Sequence, residues 1–401
     1  MIKKKLLFYH SPSKFTGGIS ILWRGMNILY LKSFIFNFFK TNNTLKNNIL
    51  LYDSARTSIL HILKFLNLKS RDQVIISSFT CDAVTSAVIN SGAKIVYVDI
   101  KKDLTMNDKN VLDAINSNTK VLILQNTFGR LGLSLNTLKR LKKKKIFVIE
   151  DNCLSNGSKL DNKFLGNYGD VSISSLEVSK TITLGWGGVL KINDLKFKKK
   201  IIKSYNSLCH VNIFSDIRRL LQLYISLYFL KRPNFFGNLI WYFFYGTNIF
   251  RKSNYRGNLK IKKIGPITKK FYLYLVPYFE KFYKKTNKNF IFLNKIIKNQ
   301  KLICAIKEKK NERIVTPRIA ILVNNRDEIL KLAKKMKIEI GEWFKDCPPR
   351  LYLDKTTIYS NRNSAIISKK IIKINCYFSL TKNEIYKLKK LILNISLIEN
   401  N

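Results

Sequence analysis

The chain has 401 residues, of which 46% are apolar and 12% aromatic, so it can bury a core large enough for one or two domains. Its 73 Lys and Arg residues against 25 Asp and Glu residues give a formal net charge of +48. This charge is either a solvated surface or a footprint for nucleic acid or an anionic membrane. Because the basic residues are mostly lysine and spread along the whole chain, we favour the solvated surface and expect no nucleic-acid partner.

The cysteines and the first residues of the chain indicate the cellular compartment of the protein. Six cysteines at positions 81, 153, 209, 304, 347 and 376 form no CxxC pair, and the chain has three histidines. This spacing predicts neither a metal site nor a disulfide framework. The opening MIKKKLLFYHSPSK contains an apolar run too short for a signal-peptide core. We therefore expect a cytoplasmic protein with reduced thiols.

Residues 1–45 give no clear prediction, but from residue 46 apolar runs rich in β-branched residues alternate with helix-like stretches. The helix-like stretches begin near Thr57, Cys81 and Ser134. This alternation predicts an α/β fold with a mostly parallel sheet covered by helices on both faces. The predicted strands are ILLYDS (49–54), QVIISSF (73–79), KIVYVDI (94–100), KVLILQNT (120–127), KIFVIED (145–151), DVSISSL (170–176) and GGVLKIN (187–193).

Residues 211–250 are strongly aromatic, and a polar break at 231–234 divides them into two apolar pieces. Each piece is shorter than the roughly 20 residues that a membrane-spanning helix needs. A buried helical hairpin is one interpretation, and an interfacial amphipathic element is the other. Peripheral membrane contact therefore stays open.

The pattern of predicted elements changes after residue 255. Residues 269–300 predict one long amphipathic helix with lysines outside, and residues 318–401 predict a smaller α+β unit. The expected organisation is thus a large domain at 46–255, followed by a connecting helix and a small C-terminal domain at 256–401.

Residues capable of chemistry follow several predicted strands, at the sheet edge where ligands bind in parallel sheets. Glu150 and Asp151 end one strand, where an ionised carboxylate needs a cationic or proton-donating partner. Lys180 follows the next strand by a short turn, five residues after Ser175. A lysine at the mouth of a sheet can be desolvated enough to act as a nucleophile.

The segment SARTS, residues 54–58, forms the start of the first predicted helix. The hydroxyls of Thr57 and Ser58, together with backbone N–H groups, suit a phosphate, although a plain helix cap is the alternative. A phosphate site, a carboxylate and a lysine at one sheet edge are the groups that pyridoxal phosphate (PLP) requires. The joint placement of Thr57, Asp151 and Lys180 therefore predicts a PLP site.

Three stretches resemble the DegT/DnrJ/EryC1/StrS family of PLP-dependent sugar aminotransferases, which have the fold type I architecture with a smaller C-terminal domain. Residues 56–100 resemble the family's opening block, including a strand that ends at Asp99. VIEDNCLSNGS (148–158) resembles the E-D-x-A-Q-x-x-G segment, and GNYGDVSISSLEVSK (166–180) resembles the block that ends in the cofactor lysine. Residues 326–344 also look like the family's small-domain helix and turn.

This resemblance implies a role for each matching residue. Lys180 would form the Schiff base with PLP and transfer the proton, and Asp151 would hold the ring nitrogen. Ser175 and Thr57 would bind the phosphate. The resemblance also implies a homodimer that moves an amino group, with glutamate as the expected donor, to a keto sugar that is nucleotide-linked. Lys180 favours transamination, because the few members that deoxygenate sugars carry histidine at this position.

The chain departs from the family pattern at four positions. Arg56 replaces a common glycine, and Cys81 stands where an aromatic side chain often stacks on the cofactor ring. Leu154 replaces the usual glutamine near the ring hydroxyl, and Trp186 replaces a glutamate. We hypothesise that Arg56 reinforces phosphate binding. Two alternatives remain open: a PLP fold with altered, dehydratase-like or lost catalysis, and a basic membrane-peripheral protein.

Overall fold

The computed structural model describes residues 43–229, 258–306, 310–342, 344, 346–349 and 356–400. Almost all of the N-terminal segment 1–45, and the half of the 211–250 segment that follows residue 229, lie outside these ranges. Within the described ranges, no helix combines the length and apolar character needed to cross a membrane.

The centre of the molecule is an eight-stranded sheet with the order β1-β9-β8-β5-β4-β2-β3-β14. All strands except β9 run in the same direction, so the prediction of a mostly parallel sheet is confirmed. These strands are β1 (Ile49–Tyr52), β2 (Gln73–Ser77), β3 (Lys94–Val98), β4 (Thr119–Gln125), β5 (Phe147–Asp151), β8 (Val171–Ser175), β9 (Gly188–Ile192) and β14 (Thr356–Ile358).

Helices cover both faces of this sheet, because its buried strands alternate apolar side chains between two hydrophobic clusters. One cluster contains Ile76 of β2 with Ile59 and Ile201, and the other contains Ile75 of β2 with Leu141. The helices of this part are α1 (Ala55–Phe65), α2 (Asp82–Ser91), α3 (Asp108–Asp113), α4 (Leu135–Lys143), α5 (Leu195–Asn206) and α6 (Ile213–Phe229).

Three helix boundaries have local physical causes. Ser54 precedes α1 and Ser134 precedes α4, and each accepts a hydrogen bond from a backbone N–H in the first turn. Gly92 ends α2 with a φ of 86°, a left-handed conformation that glycine adopts without strain. These caps fix where the chain leaves each helix and enters the next strand.

The long helix predicted over residues 269–300 is wrong as a single element. The structure has α7 (Pro266–Leu275), a 3₁₀ turn (Val276–Tyr278) and α8 (Phe279–Asn299). Pro277 lies in the turn, and a proline inside a helix removes one backbone hydrogen bond and clashes with the preceding turn. The two helices therefore meet at the proline.

The C-terminal region forms a second, four-stranded antiparallel sheet with the order β10-β12-β15-β13. A three-stranded sheet with the order β11-β6-β7 joins this region to the loop after β5. The remaining strands are β6 (Lys159–Leu160), β7 (Lys163–Phe164), β10 (Ile303–Cys304), β11 (Glu312–Arg313), β12 (Arg318–Leu322), β13 (Ile340–Gly341) and β15 (Ile371–Asn375). Helices α9 (Arg326–Lys335), α10 (Arg362–Lys370) and α11 (Lys382–Asn400) complete the region.

The C-terminal region is tied directly to the large sheet. Strand β14 pairs with β3 as its edge strand, and the carboxylate of Asp99, after β3, accepts hydrogen bonds from the backbone N–H groups of Asn363 (2.7 Å) and Ser364 (2.9 Å) at the start of α10. A carboxylate at a helix N-terminus is stabilised by the unsatisfied N–H groups there. Strand β14 lies beyond residue 256 in the sequence but belongs to the large sheet. The division into domains near residue 256 stays a prediction.

Candidate active site

The carboxyl ends of the parallel strands place most of the predicted site residues along one edge of the sheet. Asp151 ends β5, Ser175 ends the neighbouring strand β8, and Lys180 lies in the turn that follows Ser175. Strand β1 points in the same direction, so the start of α1 with Thr57 lies at this edge as well. Strand order thus brings residues from separate parts of the chain to one place.

Two thiols are influenced by both Asp151 and Lys180. Burial raises the pKa of the Cys81 thiol, Lys180 lowers it and Asp151 raises it. Burial also raises the pKa of the Cys153 thiol, Asp151 raises it further and Lys180 lowers it. Lys180 and Asp151 therefore act on the same two thiols with opposite sign.

The two carboxylates that end β5 have different tasks. Glu150 is fully buried and accepts hydrogen bonds from Asn126 Nδ2 (2.7 Å) and from the backbone N–H groups of Gly166 (2.6 Å) and Tyr168 (2.8 Å). It therefore fixes the loop that leads into β8. Asp151 points to the opposite side of the strand and accepts a hydrogen bond from the backbone N–H of Cys153 at 2.9 Å. Its carboxylate raises the pKa of the Cys153 thiol, which Lys180 lowers.

The start of α1 is a hydrogen-bonded cap. Ser54 Oγ accepts from the backbone N–H of Thr57 at 3.2 Å, and Thr57 Oγ1 donates to Asp53 Oδ1 at 2.6 Å. Arg219 of α6 lies 3.8 Å from the Asp53 carboxylate. Burial raises the pKa of Asp53, while the Thr57 hydrogen bond and Arg219 lower it. These contacts are those of a helix cap. A phosphate could bind the Thr57 hydroxyl only after that hydroxyl left Asp53, so the phosphate site stays a prediction.

The other two predicted residues of this segment differ in placement. Ser58 is fully buried, and its hydroxyl donates to the carbonyl of Ala55 at 2.6 Å within the helix. Arg56 is half-buried and lowers the pKa of Asp53 electrostatically. The guanidinium of Arg56 therefore lies near the cap, whereas the hydroxyl of Ser58 is used inside the helix.

The glycine turn after Lys180 packs directly on the start of α1. Gly185 and Gly187 have φ values of 86° and 126°, which favour glycine. A Cβ atom at Gly188 would lie 2.4 Å from the backbone N of Ala55, so only glycine allows this approach. Trp186 is half-buried within the turn. The turn thus holds the helix start against the strand that follows Lys180.

Two departures from the family pattern have visible consequences. Leu154 is 7% exposed and belongs to the hydrophobic cluster that contains Phe79 and Phe128. Cys81 precedes α2 without making a side-chain cap, which leaves its thiol beside Lys180 and Asp151. The chain therefore places an apolar residue and a thiol where a glutamine and an aromatic ring are expected.

Sequence reasoning missed a second lysine near the site. Lys373 of β15 is fully buried, with its ammonium 5.5 Å from the ring centroid of Phe128 and 5.1 Å from that of Phe344. Burial holds the pKa of Lys373 well below its usual range, and Arg318 and Lys180 lower it further. The available signal was the strand IIKIN, in which one lysine interrupts an apolar run.

Comparison with known proteins agrees with this geometry. Residues 46–214 match the model of the DegT/DnrJ/EryC1/StrS aminotransferase family. GDP-perosamine synthase of Escherichia coli O157:H7 is 32% identical over 143 residues, which are 35% of this chain and 39% of that protein. UDP-4-amino-4,6-dideoxy-N-acetyl-beta-L-altrosamine transaminase of Helicobacter pylori is 26% identical over 164 residues, 40% of this chain and 44% of that protein.

The chain therefore spans less than half the length of these two curated relatives. Solved DegT-family structures extend the likeness of fold to most of the chain. An aminotransferase from Brucella abortus has a TM-score of 0.68 at 17% identity, covering 94% of this chain and 91% of its own. The sugar aminotransferase CalS13 from Micromonospora echinospora has a TM-score of 0.67 at 13% identity, covering 92% of each chain. The fold is that of the fold type I PLP aminotransferases.

The residues at the sheet edge fit the cofactor of this DegT-family fold. Lys180 and Asp151 lie at the carboxyl ends of the neighbouring strands β8 and β5, which suits a carbonyl-binding lysine and a ring-nitrogen carboxylate. The hydroxyl of Thr57 and the glycine turn meet at the start of α1, where an anion is stabilised by backbone N–H groups. Asp53 is the one carboxylate of the described cap that a phosphate would have to displace from Thr57.

Proposed function

We propose that this protein is a PLP-dependent aminotransferase that moves an amino group from an amino acid, with glutamate as the expected donor, to a nucleotide-linked keto sugar. The observation that carries the proposal is the placement of Asp151 at the end of β5 and of Lys180 in the turn after the neighbouring strand β8, at the carboxyl edge of the sheet. The names of the curated relatives support the sugar acceptor, since they are a GDP-perosamine synthase and a UDP-sugar transaminase.

Each residue of the site has one task in this reaction. When bound, PLP supplies a ring that accepts the electron pair released as the donor carbon loses its proton. The Nζ atom of Lys180 takes that proton and returns it, acting as base and then as acid. The carboxylate of Asp151 stabilises positive charge at the ring nitrogen. Thr57 and Ser175 hold the phosphate, while the glycine turn keeps the start of α1 in place.

Titration of the purified protein with glutamate tests the proposal. PLP bound through Lys180 gives a visible absorption band, and glutamate should remove this band while one equivalent of keto acid forms. A nucleotide-linked keto sugar should then restore the band. This cycle separates a transaminase from a protein that merely holds the cofactor.

Two variants serve as controls. Lys180→Ala should bind PLP without the band and make no keto acid, because the proton-transferring amine is gone. Lys373→Gln removes the other lysine near the site and should keep the band. A wild-type protein that takes up no PLP would contradict the proposal, and one that takes it up but never responds to an amino donor would support the non-catalytic alternative.

We also propose that the protein acts in the cytoplasm as a homodimer. All six cysteines are free, and Cys81 and Cys153 lie beside the site, where a reducing compartment would protect them. The homodimer rests on the resemblance to fold type I enzymes. Peripheral contact with a membrane is compatible with this function, since the excess of lysine attracts anionic lipids.

A further inference from the structure

Helix α6 has one face fixed against the protein. Asp216 is 1% exposed, and its Oδ2 accepts from the backbone N–H groups of Ile267 (2.9 Å) and Thr268 (3.1 Å) at the start of α7. Gly265 leaves room for this carboxylate, because a Cβ there would lie 2.1 Å from Asp216 Cγ. Arg219, one turn along, pairs with Asp53 at 3.8 Å. The rotation of α6 about its axis is therefore set by Asp216 and Arg219.

A second face of α6 is apolar and exposed. Ile213, Phe214, Ile217 and Leu221 are 49%, 80%, 40% and 52% exposed. At about 100° per residue they lie on one side of the helix, roughly 60–160° around its axis from Asp216. Turning these side chains inward would break the Asp216 hydrogen bonds. The fold thus holds an apolar stripe toward the outside, and contiguous exposed apolar surface marks an interaction site.

The preceding helix, α5, carries a stripe of lysines. Phe197 and Ile201 face inward, Phe197 against Phe147 of β5 and Ile201 fully buried. The exposed positions include four lysines with the i, i+3, i+4, i+7 spacing of a single helix face. They are Lys196, Lys199, Lys200 and Lys203. A basic stripe and an apolar stripe therefore lie on two consecutive helices joined by a short connection.

We propose that α5 and α6 form a docking surface for a membrane that contains anionic lipids. Phe214 and its apolar neighbours would enter the boundary between headgroups and acyl chains, while the lysines of α5 would lie among the headgroups. The inference concerns a partner of the protein and is independent of the proposed transamination.

Charge favours a lipid surface over the other occupants. A second copy of the chain docked at this face would bring the same lysine stripe of α5 against this one, so the two stripes would repel. Nucleic acid offers phosphates but no apolar layer for Phe214. An anionic membrane offers both, because its headgroups attract lysine and its acyl region accepts apolar side chains.

Co-sedimentation of the full-length protein with vesicles tests the inference. Vesicles of phosphatidylcholine alone are compared with vesicles containing roughly one part phosphatidylglycerol to three parts phosphatidylcholine. The wild type should sediment with the anionic vesicles only. The double variant Phe214→Ser/Ile217→Ser should bind at least about tenfold more weakly, since it removes the insertion of apolar side chains. Changing the four lysines of α5 to glutamine should weaken binding and its dependence on salt.

The matched control is Ile303→Ser/Leu397→Ser, which removes two apolar side chains, each 62% exposed, from the C-terminal region. It should bind as the wild type does, and all variants should keep the wild-type thermal midpoint because the changed side chains are exposed. Wild type that binds neither vesicle, or equal binding by Phe214→Ser/Ile217→Ser, would overturn the inference. So would a loss of self-association in that variant, by light scattering, without loss of vesicle binding.

Discussion

Lys373 shows how far one residue's properties depend on its surroundings. The chain is rich in lysine, yet this one is fully buried beside Phe128 and Phe344, with Arg318 and Lys180 near enough to lower its pKa. Burying an ammonium removes its hydration, which an apolar side chain does not need. Burial of this ammonium therefore lowers the free energy of unfolding of the protein.

We expect Lys373→Met to raise the stability of the protein at neutral pH, by about 1–4 kcal/mol. The folded-state pKa of Lys373 lies below its unfolded value of about 10.5, so the unfolded chain binds more protons between these two values. Wild-type stability should accordingly rise with pH within that window, and the variant should lose this contribution. Thermal unfolding over a pH series measures both effects.

Lys369→Met, at an exposed position of α10, is the control and should leave the unfolding midpoint unchanged. A Lys373→Met protein that unfolds more easily than wild type would show that the ammonium makes a net stabilising interaction.

Arg56 is the second residue-scale test. Its guanidinium lies near the cap of α1, where it acts on Asp53. If it also binds the phosphate, Arg56→Ala should weaken PLP affinity about tenfold, as expected for one charge-assisted hydrogen bond. Equilibrium titration with PLP gives this value directly. Arg71→Ala removes an exposed arginine and is the control; unchanged affinity in Arg56→Ala would remove the hypothesis.

At the scale of elements, the glycine turn matters through its contact with α1. The sequence shows the Gly-Trp-Gly-Gly run, but the contact between Gly188 and the Ser54–Ala55 backbone appears only in the fold. Gly188→Ala would place a methyl group 2.4 Å from the Ala55 nitrogen, and Gly188 is paired with Tyr52 in the ladder between β9 and β1. We expect a loss of about 1–3 kcal/mol in the free energy of unfolding, and weaker PLP binding.

Gly92→Ala is the matched control, because a Cβ there meets nothing within 4 Å, although its φ is 86°. It should cost about 1 kcal/mol through backbone strain alone and leave PLP affinity unchanged. Denaturant unfolding and PLP titration of both variants separate the two effects. Equal PLP affinity in Gly188→Ala and wild type would mean that the turn does not support the cofactor site.

Helix boundaries were predictable where the cause was local. Ser54, Ser134 and Gly92 act within one turn of their own helices, so the caps could be read from the sequence. The break near Pro277 was also local, but the continuous amphipathic pattern on both sides of it favoured one helix. The proline decided the outcome, since it cannot donate a backbone hydrogen bond.

At the scale of the whole molecule, His61 links stability to pH. It is buried, with Nδ1 2.6 Å from Tyr52 Oη and Nε2 2.9 Å from Ser204 Oγ, and so joins α1 to β1 and α5. Burial lowers the pKa of His61 to about 4, below the ordinary value of about 6.5. As the pH falls from about 6.5 to about 4, the unfolded chain therefore binds a proton that the folded protein does not.

Stability should consequently fall over this pH range, and His61→Gln should reduce the slope. Urea unfolding midpoints between pH 7 and pH 4 measure the difference. His210→Gln, at an exposed position, should keep the wild-type slope. An unchanged slope in His61→Gln would assign the acid sensitivity to other groups.

The sequence by itself determined the alternation of strands and helices, the helix caps, and the residues at the strand ends, including Lys180 and Asp151. These features depend on hydrophobic periodicity and on hydrogen bonds within a few residues, which the order of side chains specifies directly. The family resemblance added the expected roles of these residues, which stay predictions.

Only the tertiary structure decided which distant residues meet. It brought Lys373 to the site from the end of the chain, placed β14 beside β3, and set the Asp99 carboxylate at the start of α10. It also turned the apolar face of α6 outward, by fixing Asp216 on α7. Contacts between segments so far apart depend on the packing of whole elements, so no local pattern of residues specifies them.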